Sequence, residues 1–136
     1  MLIELVNQGN FHFIAENESG KHVSMDASPT IGGENKGARP MELLIMGLGG
    51  CSGIDVINIL KKQKIDLAKF VIKIDAEREP EAVPSLFQKI HMKFIFDTSV
   101  DQAKAERAVS LSLEKYCSVA KTLEKTAAIT HEVLFE

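Results

Sequence analysis

The sequence predicts an α+β fold, and three observations predict it. Short alternating apolar segments punctuated by turn residues open the chain. One long, heavily apolar helical stretch follows. Two further alternating strands, a second helix and a closing strand then complete the order βββ-α-ββ-α-β. Neither repeats nor a low-complexity linker divides the 136 residues, so residues 1–136 read as one domain able to bury a single core.

Leu2 to Val6, Phe11 to Glu16 and His22 to Asp26 form the opening meander. Gln8-Gly9-Asn10 and Asn17-Glu18-Ser19-Gly20 supply the turns between them. A glycine-rich loop runs from Ala27 to Arg39. Pro40 suits the first position of a helix, where its missing N–H is no loss. That helix extends from Met41 to about Lys62 and closes in the basic run Lys61-Lys62-Gln63-Lys64, which complements the C-terminal dipole. Phe70 to Arg78 and Leu86 to Asp97 alternate as strands, linked by the proline-punctuated REPEAVPS. Asp101 is placed to cap a second helix running to about Glu114. Lys115-Tyr116-Cys117-Ser118 interrupts that helix before a short continuation to Lys125, and Ala128 to Phe135 closes as a strand.

The first helix is apolar on more than one side, and such a helix is buried on all sides. One small sheet cannot cover it, so its natural cover is a second copy of the chain, a homodimer. With a net charge of −3 there is no electrostatic case for nucleic acid. Uninterrupted apolar runs fall short of the roughly 20 residues that span a bilayer. The opening MLIELVNQGN lacks a basic region followed by a hydrophobic stretch, so the expectation is a cytoplasmic protein without membrane association. The four histidines sit on different strands, none at metal-ligand spacing with either cysteine, so no metal site and no cofactor are expected. Gly32-Gly33-Glu34-Asn35-Lys36-Gly37 is no phosphate fingerprint and reads instead as a lid or a crossover between subunits.

The chemistry gathers around Gly47-Leu48-Gly49-Gly50-Cys51-Ser52-Gly53. Four glycines in seven residues cost the helix about 0.8–1 kcal/mol each relative to alanine, so they imply close packing or open space. At about 100° per residue, the face of Cys51 includes Leu44, Gly47, Leu48, Ile54, Asp55 and Asn58. Gly49 and Gly53 fall on the far side, where another helix would approach closely. In a reducing cytosol Cys51 and Cys117 are either buried thiols or a redox pair.

Pro40-Met41-Glu42-Leu43-Leu44, then Gly49-Gly50-Cys51, then Glu114-Lys115-Tyr116-Cys117-Ser118-Val119-Ala120 resemble the OsmC/Ohr family (organic hydroperoxide resistance and osmotically inducible proteins), in particular its YhfA-like branch. The resemblance extends over essentially the whole chain. It implies an intertwined homodimer with the cysteine-bearing helices at the centre and sheets outside. It further implies a thiol peroxidase acting on organic hydroperoxides in the oxidative stress response, with Cys51 peroxidatic, Cys117 resolving, and a dithiol or lipoyl-type reductant.

Family members hold the peroxidatic thiolate with an Arg from the N-terminal strand region and a Glu shortly before the cysteine. Here no Arg precedes Arg39, and the Glu position falls on Met41, with Glu42 beside it. Glu42 and Arg39 are therefore the candidates to complete the catalytic set with Cys51 and Cys117. Glu42 equally fits a carboxylate favoured by a helix N-terminus, and Arg39 a solvated loop residue. Asp55, one turn after Cys51, disfavours a nearby thiolate. Cys117 either opens a new helical turn near Lys115, which would lower its pKa, or continues the core stripe of Val109 and Leu113. Leu44, Gly47, Leu48, Asp55 and Tyr116 are the expected substrate pocket. The competing functions are a non-catalytic module holding a small hydrophobic ligand, and a sulfur carrier with a persulfide on Cys51.

Overall fold

A computed structural model describes residues 1–136. The chain divides into two compact units, Met1–Leu44 and Ile45–Glu136.

In the first unit, alternation and tight turns produce a meander of β1 (Ile3–Asn7), β2 (Phe13–Asn17) and β3 (His22–Met25). The strands are antiparallel in the order β1-β2-β3, with Ile3 opposite Asn17 and Phe13 opposite Met25. Ile3, Leu5, Val6 and Val23 remain exposed on this sheet. The loop after β3 is tied down by Asp26, whose Oδ1 accepts the Ala27 N–H at 2.7 Å. Its Oδ2 accepts the N–H groups of Glu34 and Lys36, both at 3.1 Å. These bonds, that of Lys36 foremost and against the opposing effect of burial, hold the Asp26 carboxyl below the usual carboxylate range. Gly33 permits the closure, because a Cβ there would stand 1.9 Å from the Ala27 carbonyl oxygen.

The helix α1 (Pro40–Lys62) opens with its proline, as expected, and carries Lys61 and Lys62 in its last turn. Beyond Leu44 it buries Leu48, Ser52, Gly53, Val56 and Leu60. The second sheet consists of β4 (Phe70–Arg78), β5 (Phe87–Phe96) and β6 (Ala128–Phe135), in the order β4-β5-β6. β4 and β5 are antiparallel, with Phe70 opposite Phe96, whereas β6 runs parallel to β5. The central β5 supplies the core through Ile90, Met92, Phe94 and Phe96, all buried. Each such side chain contributes roughly 1.5–3 kcal/mol relative to leaving it exposed. Across the sheet the Phe70 and Phe96 rings stack at 4.7 Å.

Asp101 caps α2 (Gln102–Leu111) as expected, accepting the Lys104 N–H at 2.9 Å. The expected continuation to Glu114 is corrected. The α-helix stops at Leu111, Ser112–Tyr116 form a π-helical turn, and α3 (Ser118–Leu123) follows with Cys117 as its N-cap.

The glycines of α1 divide into two pairs. A Cβ on Gly49 would meet Ile74 Cδ1 at 3.1 Å, and one on Gly53 would meet Ile72 Cδ1 at 3.1 Å. This pair lets the helix lie close to β4, so the close neighbour is a strand and not the expected helix. Around Gly47 and Gly50 a Cβ would meet nothing within 4 Å. Gly50 belongs to a stripe with Met46, Ile54 and Ile57, where Ile54 is 69% exposed. Burial on all sides is therefore not achieved within one chain. By length and composition α1 could cross a membrane. It packs against β4, carries Asp55 past its midpoint and leaves one side uncovered.

Candidate functional site

Two elements of the second unit bring the cysteines together. Cys51 lies midway along α1 and is half-buried, whereas Cys117 is fully buried. The Cys51 and Cys117 sulfurs and a carboxylate oxygen of Asp55 all lie within 4.8 Å of one another. Both cysteines are free thiols.

The π turn sets the position of Cys117. Its N–H donates to the Ser112 carbonyl at 2.7 Å, a bond spanning five residues where an α-helix would span four. The backbone then leaves the helix at Cys117 with ψ 104°. The sulfur accepts the Ala120 N–H at 3.4 Å, capping α3. Ser112 is fully buried and was not anticipated from the sequence. Its hydroxyl donates to Asp55 Oδ2 at 3.0 Å and lies 3.4 Å from the Ser52 carbonyl oxygen. The signal that could have found it is its place on the α2 stripe of Ala105, Ala108 and Val109, at helical spacings of seven, four and three. The α2 helix aims it at α1, since Ser112 keeps α-helical φ −59° and ψ −55° and its N–H donates to the Ala108 carbonyl.

Cys117 was expected either to have a lowered pKa at a helix start or to continue the core. It does cap the helix, but burial pushes the thiol up to about 11. The Ala120 N–H opposes that rise and the neighbouring Cys51 thiol reinforces it. Lys115 is turned to the Tyr116 ring, its Nζ 5.4 Å from the centroid.

A cavity of about 450 Å³ adjoins Asp55. Asp55, Asn58, Ile59 and Lys62 of α1 line it, with Leu111 and Tyr116 opposite. Asp55 and Tyr116 share this cavity, while Leu48 is fully buried and a Cβ on Gly47 would meet nothing within 4 Å. Leu44 is 45% exposed at the end of the first unit. The other two candidates are engaged locally. Glu42 Oε1 accepts the Arg39 N–H at 2.7 Å, capping the start of α1. The Arg39 guanidinium donates to the Gly37 carbonyl at 2.9 Å and to Asn35 Oδ1 at 3.0 Å.

Known proteins resemble the chain along its length. The profile of the family described as OsmC-like protein matches residues 33–132. The protein YhfA of Escherichia coli K12 is 43% identical over 120 residues, covering 88% of this chain and 86% of that protein. A hypothetical protein from Aquifex aeolicus VF5 superposes with a TM-score of 0.81 at 33% identity, covering 99% of this chain and 96% of that one. The organic hydroperoxide resistance protein OhrB of Bacillus subtilis shares the fold with a TM-score of 0.67 at 17% identity, covering 98% of each chain. On the span of the profile match and the identity to YhfA, the chain belongs to the OsmC-like protein family.

Proposed function

We propose that the chain reduces organic hydroperoxides through Cys51 and Cys117, in a reducing cytoplasm and as a homodimer. The observation that carries this reading is the approach of the two sulfurs to within 4.8 Å in the reduced state. A disulfide requires that gap to close to roughly 2 Å. The name of OhrB supports the choice of oxidant for the fold, and the cavity beside Asp55 offers room for one.

The two thiols divide the work by their surroundings. Cys117 is fully buried and held protonated at neutral pH, so peroxide meets the more accessible Cys51. The Cys51 thiolate attacks the terminal peroxide oxygen and the O–O bond breaks. The departing alkoxide takes up the proton Cys51 gave up, leaving an alcohol and a Cys51 sulfenic acid. The sulfur of Cys117 then attacks that of Cys51, an S–S bond forms and water leaves. A dithiol reductant reopens the disulfide by two exchanges and is itself oxidised to a disulfide.

The homodimer is supported by the bare stripe Met46, Gly50, Ile54 and Ile57, and by exposed apolar residues of the meander. A second copy would cover both.

The test uses the reduced chain with one equivalent of cumene hydroperoxide, following free thiols and intact mass together. Rapid loss of both thiols with a Cys51–Cys117 disulfide is expected. Cys51→Ser abolishes turnover, whereas Cys117→Ser completes one round and leaves a sulfenic acid that dimedone traps. Steady-state turnover by Cys51→Ser at the wild-type rate would sink the assignment.

A further inference from the structure

Two sulfurs and a carboxylate converging from two elements form a ligand set as well as a redox pair. We propose that Cys51, Asp55 and Cys117 bind one divalent cation of the zinc class, with the fourth position left to water. Histidine spacing could not reveal this site, because its third ligand is an aspartate one turn from Cys51 on α1.

A metal site needs fitting ligands, geometry, outer-shell support and an entry path. Two thiolates select a thiophilic ion over magnesium or calcium, and a hard carboxylate beside them favours zinc over monovalent copper. Tetrahedral zinc with bonds of about 2.3 Å to sulfur places its sulfur ligands about 3.8 Å apart. The three donor atoms lie within 4.8 Å of one another, so rotation of side chains by about 1 Å suffices. The outer shell is already built. Ser112 Oγ donates to Asp55 Oδ2 and leaves Oδ1 for the ion, while the Ala120 N–H supports the Cys117 sulfur. The cavity that Asp55 lines would admit the ion from the carboxylate's side. Lys62 in the same lining opposes the residual negative charge of two thiolates, a carboxylate and a dication. A disulfide removes both thiolates, so metal loading and oxidation of the pair exclude one another. The site itself does not depend on the peroxide reading.

Anaerobic titration of the fully reduced chain with Co²⁺, in the absence of peroxide, tests it. One equivalent should saturate thiolate-to-cobalt charge-transfer absorption together with the strong ligand-field bands of a four-coordinate ion. One equivalent of Zn²⁺ should displace them. Cys51→Ser and Cys117→Ser each diminish the charge-transfer band, and Asp55→Asn keeps it but weakens Co²⁺ affinity by at least about 10-fold. Wild-type protein without charge-transfer absorption at excess Co²⁺, or Asp55→Asn binding with undiminished affinity, overturns the proposal. A second measurement needs no variant: one equivalent of Zn²⁺ should slow maleimide alkylation of Cys51 by about 10-fold or more. An unchanged alkylation rate also overturns it. Inert thiols towards peroxide with intact cobalt binding would remove the peroxidase reading alone.

Discussion

Gly50→Ala separates a bare helix face from an interface, because the two predict effects of opposite sign. In the single chain a Cβ at Gly50 meets nothing within 4 Å. The variant should then gain the full difference in helix propensity, about 0.8–1 kcal/mol, with no steric cost. If the stripe of Met46, Gly50, Ile54 and Ile57 packs against a second copy, the added methyl overfills a close contact. Overpacking costs about 1–3 kcal/mol, which weakens association about 5- to 150-fold at 1.4 kcal/mol per decade. Sedimentation velocity over a dilution series reads the association, and urea unfolding reads the stability of the dissociated chain. We expect weakened association. A variant stabilised by about 1 kcal/mol with association unchanged would refute the interface and the homodimer built on it. Gly49→Ala is the control, since its Cβ meets Ile74 of the same chain at 3.1 Å and its cost should appear in folding.

The Cys117 thiol keeps its proton in the fold to about 11, whereas the unfolded chain releases it near 9.0. Its contribution to stability is therefore complete below 9.0 and is lost as pH rises towards 11, a decline that Cys117→Ala should flatten in urea titrations of the reduced protein. Asp26, with a carboxyl lowered below 3.8, contributes in the opposite sense, stabilising above that value and losing the effect as pH falls through its folded pKa. Asp26→Asn should remove this acid-side dependence and hasten amide exchange at Glu34 and Lys36. Unchanged exchange at both amides would contradict the role given to its carboxylate.

The sequence carried the secondary structure well, because its signals are local. Pro40 and the Lys61-Lys62 pair bound the first helix, and Asp101 caps the second. Phe70–Arg78 and Phe87–Phe96 alternate with a period of two. The π turn was not legible, since nothing in Ser-Leu-Glu-Lys-Tyr distinguishes five residues per hydrogen bond from four. That turn places Cys117, whereas Ser112 continues the buried stripe of α2, so the offset governs the sulfur alone. Gly49 and Gly53 announced a close neighbour but not its kind, because strand and helix demand the same missing methyl. The proximity of Asp55 to both sulfurs was likewise only half visible. One turn of helix links it to Cys51, but only tertiary packing adds Cys117.

The π turn also gives the spacing between Ser112 and Cys117 one residue of slack. Deleting one residue from it would give the backbone an ordinary helical turn and the more regular hydrogen bonding that comes with it. The Cys117 N–H would then reach the same Ser112 carbonyl across four residues, so the side chains that follow would keep their direction and the sulfur its place beside Cys51. Deletions from the turn and deletions from α2 therefore differ in kind. Exchanging Glu114 or Lys115 alters what solvent meets, and shortening the turn by one residue makes a more regular helix beside the same pair of thiols. Shortening α2 by one residue turns every following side chain by about 100° and parts them.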